Sequence, residues 1–154
     1  MSVYILALLI GVIAGLRALT APAAVSWAAY LGLIHVQGTV LAFMGTTVTP
    51  YILTLLAIAE LVTDQLPKTP SRKVPIQFGS RLVTGALCGA TVGVGSDALI
   101  AGLVAGVIGA VIGTLGGAAC RTMLAGAFGR DLPAALIEDV IAVGGAALLV
   151  TSLA

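Results

Sequence analysis

Apolar runs separated by short polar breaks divide the chain into six segments. Residues 1–19 are nearly unbroken Leu, Ile, Val and Ala up to Arg17, and residues 23–36 make a second, shorter run that carries Ser26, Trp27 and Tyr30. Thr20, Ala21 and Pro22 between them read as a turn and a helix start, with Thr20 as cap and Pro22 near the first helical position. Residues 46–66 give the clearest apolar helix, with Pro50 in a first turn whose amides lack intrahelical partners in any case. Residues 67–80 break the pattern with three prolines, a glycine and the cations Lys68, Arg72 and Lys73, and read as the one true loop. Helices are then expected over 81–95, 98–123 and 133–154. In the first two of these, glycines recur at three- and four-residue spacing, Gly85, Gly89 and Gly93 being the plainest row. Such rows, like the Gly11 and Gly15 pair in the first run, let another helix backbone approach closely.

Composition sets the solvent in which these helices are expected to pack. Hydrophobic residues make up 60% of the 154 residues and charged residues 8%, and the mean hydropathy is +1.19. Soluble domains carry roughly 25% charged residues, so the expectation is an all-α integral membrane protein of six short transmembrane helices. Its single transmembrane domain, 1–154, divides into a first half (1–66), the basic loop (67–80) and a second half (81–154). The first run lacks the basic region that precedes an export signal and reads as a span. Cys88 and Cys120 both fall in apolar stretches and read as packing residues. Trp27 and Tyr30 read as interfacial anchors, or with Ser26 as the lining of a polar path. His35, the one histidine, reads as a solvated residue at a helix end.

Charge then gives a topology. Placing the basic loop in the cytoplasm puts all seven Lys and Arg on that side, with both termini outside, as the positive-inside rule asks. In a bacterium this is the inner membrane. Two halves of three spans have opposite orientation, and a shift of 78 residues places Gly11 on Gly89, Gly15 on Gly93 and Glu60 on Glu138, which suggests an inverted repeat. The density of glycine also suggests a homodimer.

On that topology Arg17, Glu60, Asp64, Arg81, Arg121, Glu138 and Asp139 all fall toward the cytoplasmic side. Glu60 and Asp64, four apart, share a helix face. Glu138 and Asp139 are adjacent and about 100° apart, so one of them is expected to face the interior. Ionisable groups at membrane depth are expensive and tend to mark ion or proton paths. These seven are the candidate ion- or substrate-binding residues. The same groups also suit a structural role as Glu/Arg pairs fixing helix registry. As a functional site, the carboxylates with Thr63 would suit a hard cation. Alternatively, a desolvated carboxylate would carry a proton while the arginines hold an anion. The expected function is transport of an ion or small polar solute, the alternative a scaffold or accessory subunit with no flux. No HExxH, GxSxG or GxxxxGK[ST] motif is present, and an aspartyl pair from Asp64 and Asp139 has no motif behind it, so no enzyme activity and no cofactor are expected. The short basic loop suits anionic lipid headgroups and not nucleic acid.

Glu60, Asp64 and Pro67 at the spacing Glu-x-x-x-Asp-x-x-Pro, Arg81 opening the next helix, a Gly-rich middle and Ile137-Glu138-Asp139-Val140 in the last helix resemble the bacterial membrane proteins grouped as domain-of-unknown-function family 4126. The first turn here reads Gly15-Leu16-Arg17-Ala18-Leu19, where other members often have Gly-Leu-Asn/Arg-Pro. Thr69 to Pro75 lacks the aromatic and His residues that members tend to carry after the acidic helix. The resemblance implies the architecture and the choice of acidic residues, and no substrate.

Overall fold

The computed structural model describes residues 2–65 and 74–153. They form six α-helices: α1 (Val3–Leu16), α2 (Thr20–Tyr30), α3 (Thr49–Thr63), α4 (Pro75–Val94), α5 (Leu99–Phe128) and α6 (Asp131–Thr151). One 3₁₀ turn, Ala42–Gly45, lies between α2 and α3, and no strand occurs among the described residues. The basic segment with Lys68, Arg72 and Lys73 lies outside them.

Several boundaries differ from the sequence expectation, each for a local reason. Helix α2 stops at Tyr30 and not at 36, because Gly32 turns the chain with φ of 79°. Helix α4 starts at Pro75, six residues before Arg81, since a proline in the first turn gives up no helical hydrogen bond. Helix α5 continues past residue 123 to Phe128 and ends where Gly129 takes the left-handed conformation, φ 66°. Two helices, α5 (30 residues) and α6 (21 residues), are long and apolar enough to cross a membrane. At ~1.5 Å per residue they reach about 45 and 32 Å, against a hydrocarbon core of roughly 30 Å. Helices α1, α2 and α3, with 14, 11 and 15 residues, are shorter than that core.

Helix α5 packs closely on both α1 and α4, which also meet each other, and the glycine rows are the reason. Gly85, Gly89 and Gly93 of α4 face Gly106 and Gly102 in antiparallel order, while Gly11 and Gly15 of α1 face Gly106 and Gly113 in parallel order. A Cβ on Gly15 would stand 2.6 Å from the Thr114 nitrogen, and one on Gly89 2.8 Å from the Gly106 Cα. Backbone therefore packs on backbone along both seams. The rest of the interior is also small: Ala7, Ala14, Ala21, Ala28, Ala110 and Ala142 have no exposed surface. Large apolar side chains face outward instead, with Ile100 76%, Val140 72% and Leu148 72% exposed.

Helix α3 is the peripheral element. It packs mainly on α2 and the 3₁₀ turn, and buries only Pro50 and Ala57. Trp27 meets Tyr30 and Tyr51 edge-on and donates its indole N–H to Thr54 Oγ1 at 3.0 Å, which ties α2 to α3. Ser26 is fully buried and donates to the Met44 carbonyl at 2.6 Å, so it pins the segment after α2 and lines no polar path with Tyr30. Cys88 is buried, but Cys120 is exposed on α5 and is not the packing residue expected. His35 is exposed.

Candidate functional site

The turn between α1 and α2 organises the charges. Arg17 leaves α1 in extended conformation, φ −138° and ψ 114°, which ends the helix and leaves its last carbonyls without intrahelical donors. Arg81, six residues into α4, supplies them: its Nη1 donates to the Gly15 oxygen at 2.8 Å and to the Leu16 oxygen at 2.6 Å. A guanidinium there also complements the negative end of the α1 dipole. Thr114 Oγ1 lies 3.3 Å from the same Gly15 oxygen and 2.7 Å from the Ala110 carbonyl, the closer acceptor for its one hydroxyl hydrogen. One residue further on, the free amides that precede α2 meet Glu60. Its two oxygens accept from the Ala18 and Leu19 N–H groups, each at 2.8 Å. An anion at a helix N-terminus is favoured by the same orphan amides and dipole. Arg81 and Glu60 thus cap two consecutive helix ends from other elements.

Arg17 itself is wholly buried and bridges two helices, contacting the carboxylates of Asp64 at the end of α3 and Asp139 on α6. Gln65 Nε2 donates to the other Asp139 oxygen at 3.0 Å. Arg81 Nη2 stands 3.9 Å from both Glu60 and Asp64. Arg121 of α5 holds Asp131 through two hydrogen bonds, 2.9 Å from Nε and 2.6 Å from Nη2, a bidentate fork that fixes the α5–α6 turn. Its Nη1 lies 3.6 Å from Glu138 Oε2.

All seven residues singled out in the sequence therefore converge at one end of the bundle. Glu60 and Asp64 share a face, as expected. The expectation that one of Glu138 and Asp139 faces the interior needs correction, since both are buried, at 6% and 9% exposure. Adjacent side chains manage this because α6 sits in a corner, with Arg17 on one side and Arg121 on the other. Three participants were missed: Asp131, Gln65 and Thr114. Asp131 falls in the break before the helix expected at 133–154, and its pairing with Arg121 depends on α5 running to Phe128. Gln65 and Thr114 carry no charge to mark them.

A cavity of about 190 Å³ opens beside the cluster, with Arg121, Glu138 and Cys120 on walls otherwise made of Leu16, Gly117, Leu124, Ala134, Ile137 and Ile141. Glu138 is the one carboxylate of the cluster on that wall. No three His, Cys, Asp or Glu side chains converge as a metal-binding set among the described residues. Thr63 donates to the Glu60 carbonyl at 3.1 Å within its own helix. The equivalence of Glu60 and Glu138 under a 78-residue shift is also not matched in position: Glu60 lies in the last turn of α3, and Glu138 two turns into α6.

No protein-family model, no curated protein and no solved structure matches this chain.

Proposed function

We propose that this chain is a small membrane transport protein that moves an ion or small polar solute, with a proton carried by its buried carboxylates. One observation carries the reading: four buried or nearly buried carboxylates, Glu60, Asp64, Glu138 and Asp139, share three guanidiniums, Arg17, Arg81 and Arg121. Asp131 adds a further negative charge at the exposed rim. Ionisable groups gathered at membrane depth are expensive and tend to mark ion or proton paths. Glu138 is the proton carrier in this reading, because it borders the cavity. Glu60 has both oxygens committed to backbone amides and acts as a positioning group.

The outward-facing large side chains and the small-residue interior support lipid as the surrounding medium, since helices in a bilayer pack through small residues. The alternating helix order fits a six-pass arrangement with the charged end in the cytoplasm of a bacterial inner membrane and both termini outside. Membership of domain-of-unknown-function family 4126 and a homodimer belong to the same reading. A scaffold without flux is the second reading, favoured by the capping roles of Glu60 and Arg81.

Proteoliposomes with an internal pH dye and an imposed ion gradient separate the two. Transport predicts a pH change that depends on one particular ion and disappears in Glu60→Gln/Glu138→Gln. Silence across protons, cations and anions, from well-folded wild type, leaves the scaffold.

A further inference from the structure

Helix α3 is attached in two different ways along its length. Its first part is packed on α2 and the 3₁₀ turn: Pro50 is fully buried, Tyr51 meets Trp27 edge-on, and Thr54 accepts the Trp27 indole N–H. At its other end the ties to α1, α4, α5 and α6 are polar and come from three residues. Glu60 accepts from the Ala18 and Leu19 amides, and Asp64 meets Arg17 and stands 3.9 Å from Arg81. The Asp64 carbonyl accepts from Arg121 at 3.4 Å, and Gln65 donates to Asp139 at 3.0 Å. Little buried apolar surface adds to these ties, since Leu55, Leu56 and Val62 face outward and α3 buries only Pro50 and Ala57. In a bilayer those outward side chains meet lipid wherever the helix lies, so a change of its tilt sacrifices little packing. The groups that receive the end of α3 are held without it. Arg81 is fixed on the Gly15 and Leu16 carbonyls of α1, and Arg17 on Asp139 of α6.

We infer that α3 is a hinged gate over the charged cluster, pivoting where Trp27 holds Thr54 and kept shut by the clasp of Glu60 and Asp64. The geometry described above is its closed form. Opening draws both carboxylates away and uncovers Arg17 and Arg81, which stay in place on Asp139 and on the end of α1. Val62 lies eight residues beyond Thr54, ~12 Å along the helix, so a tilt change of about 20° carries it roughly 4 Å. The gate's role in moving a solute rests on the transport reading of this cluster. The hinge itself is a property of the fold and is measured without flux.

Pairs of spin labels read the hinge directly, in a Cys120→Ala background where the remaining Cys88 has no exposed surface. Val62→Cys with Val140→Cys spans α3 and α6 toward the charged end, and Ile52→Cys with Leu148→Cys spans the same two helices at the other end. All four positions are exposed. Pulsed electron-spin distance measurements in lipid nanodiscs are expected to show, for the Val62 and Val140 pair, one main distance and a minor population displaced by roughly 4 Å, the tilt worked above. In Glu60→Ala/Asp64→Ala the displaced population should become the main one, while the Ile52 and Leu148 pair keeps its wild-type distance. Asp131→Asn, a change in the α5–α6 turn, should leave both pairs as in wild type. The same single distance in wild type and in Glu60→Ala/Asp64→Ala would overturn the gate. Equal broadening of both pairs in that variant would mean a loosened bundle with no hinge and overturn it as well. A displaced population at the charged end of a protein that moves no ion keeps the hinge and removes the transport reading; flux through a protein with one fixed distance does the reverse.

Discussion

Placing a methyl group on Gly106 tests the packing that holds the charged end together. Gly106 sits where α1, α4 and α5 meet, and a Cβ there would press on the Gly85 carbonyl oxygen. It would also stand 3.0 Å from both the Gly85 carbonyl carbon and the Gly89 Cα. These neighbours are all backbone, so no side chain can swing away and α5 must back off from α4. Overpacking of a tight interior costs ~1–3 kcal/mol. For a chain of this size each kcal/mol moves the midpoint by ~2–4 °C, so Gly106→Ala should lower Tm by about 2–12 °C. Gly116, on the same helix, is the matched control because a Cβ there meets nothing within 4 Å. Exchanging an unconstrained helical glycine for alanine gains ~0.5–1 kcal/mol, so Gly116→Ala should raise Tm by about 1–4 °C. Thermal unfolding of both variants in one detergent, followed by helical circular dichroism, gives the comparison. Equal stability of the two would refute the glycine-seam account of the fold.

Arg17→Met leaves Asp64 and Asp139 facing each other without their shared guanidinium and should cost ~3–5 kcal/mol, the range for breaking a buried ion pair by removing one partner. Adding Asp64→Asn should recover part of that loss in a thermal-unfolding cycle, whereas additive losses would mean that the two residues do not interact. Topology is expected to follow the charges. In a Cys120→Ala background, Ser2→Cys and Ser152→Cys should react with an impermeant maleimide from outside intact cells, and Ala127→Cys, at the charged end, only after permeabilisation. The reverse labelling pattern would invert the molecule.

The long apolar helices were legible because length and hydropathy suffice to specify α5 and α6, and the glycine rows announced close packing before any partner was known. The partners themselves were not legible. Gly11 gives no sign that it will meet Gly106, because the contact depends on how three helices stack. The acids at 60 and 64 could be placed on one face from spacing alone. For Glu138 and Asp139 the same spacing argument fell short, because it assumes one interior direction, and α6 has two, toward Arg17 and toward Arg121. Arg81 read as a cation opening a helix. Its work as a cap on α1 spans 66 residues of sequence and follows from the termination of α1 at Arg17. Boundaries failed where single residues decide them: Gly32 after α2, Pro75 before α4 and Gly129 after α5.

Transport through the charged end of the bundle is tested most directly at Glu138, the cluster carboxylate on the cavity wall. The measurement is the ion-gradient-driven pH change in proteoliposomes holding wild type, Glu138→Gln or Asp131→Asn, the last a change at the exposed rim. The expected result is a pH change in wild type that is lost in Glu138→Gln and kept in Asp131→Asn. Equal flux in wild type and Glu138→Gln, with both equally well folded, would contradict it.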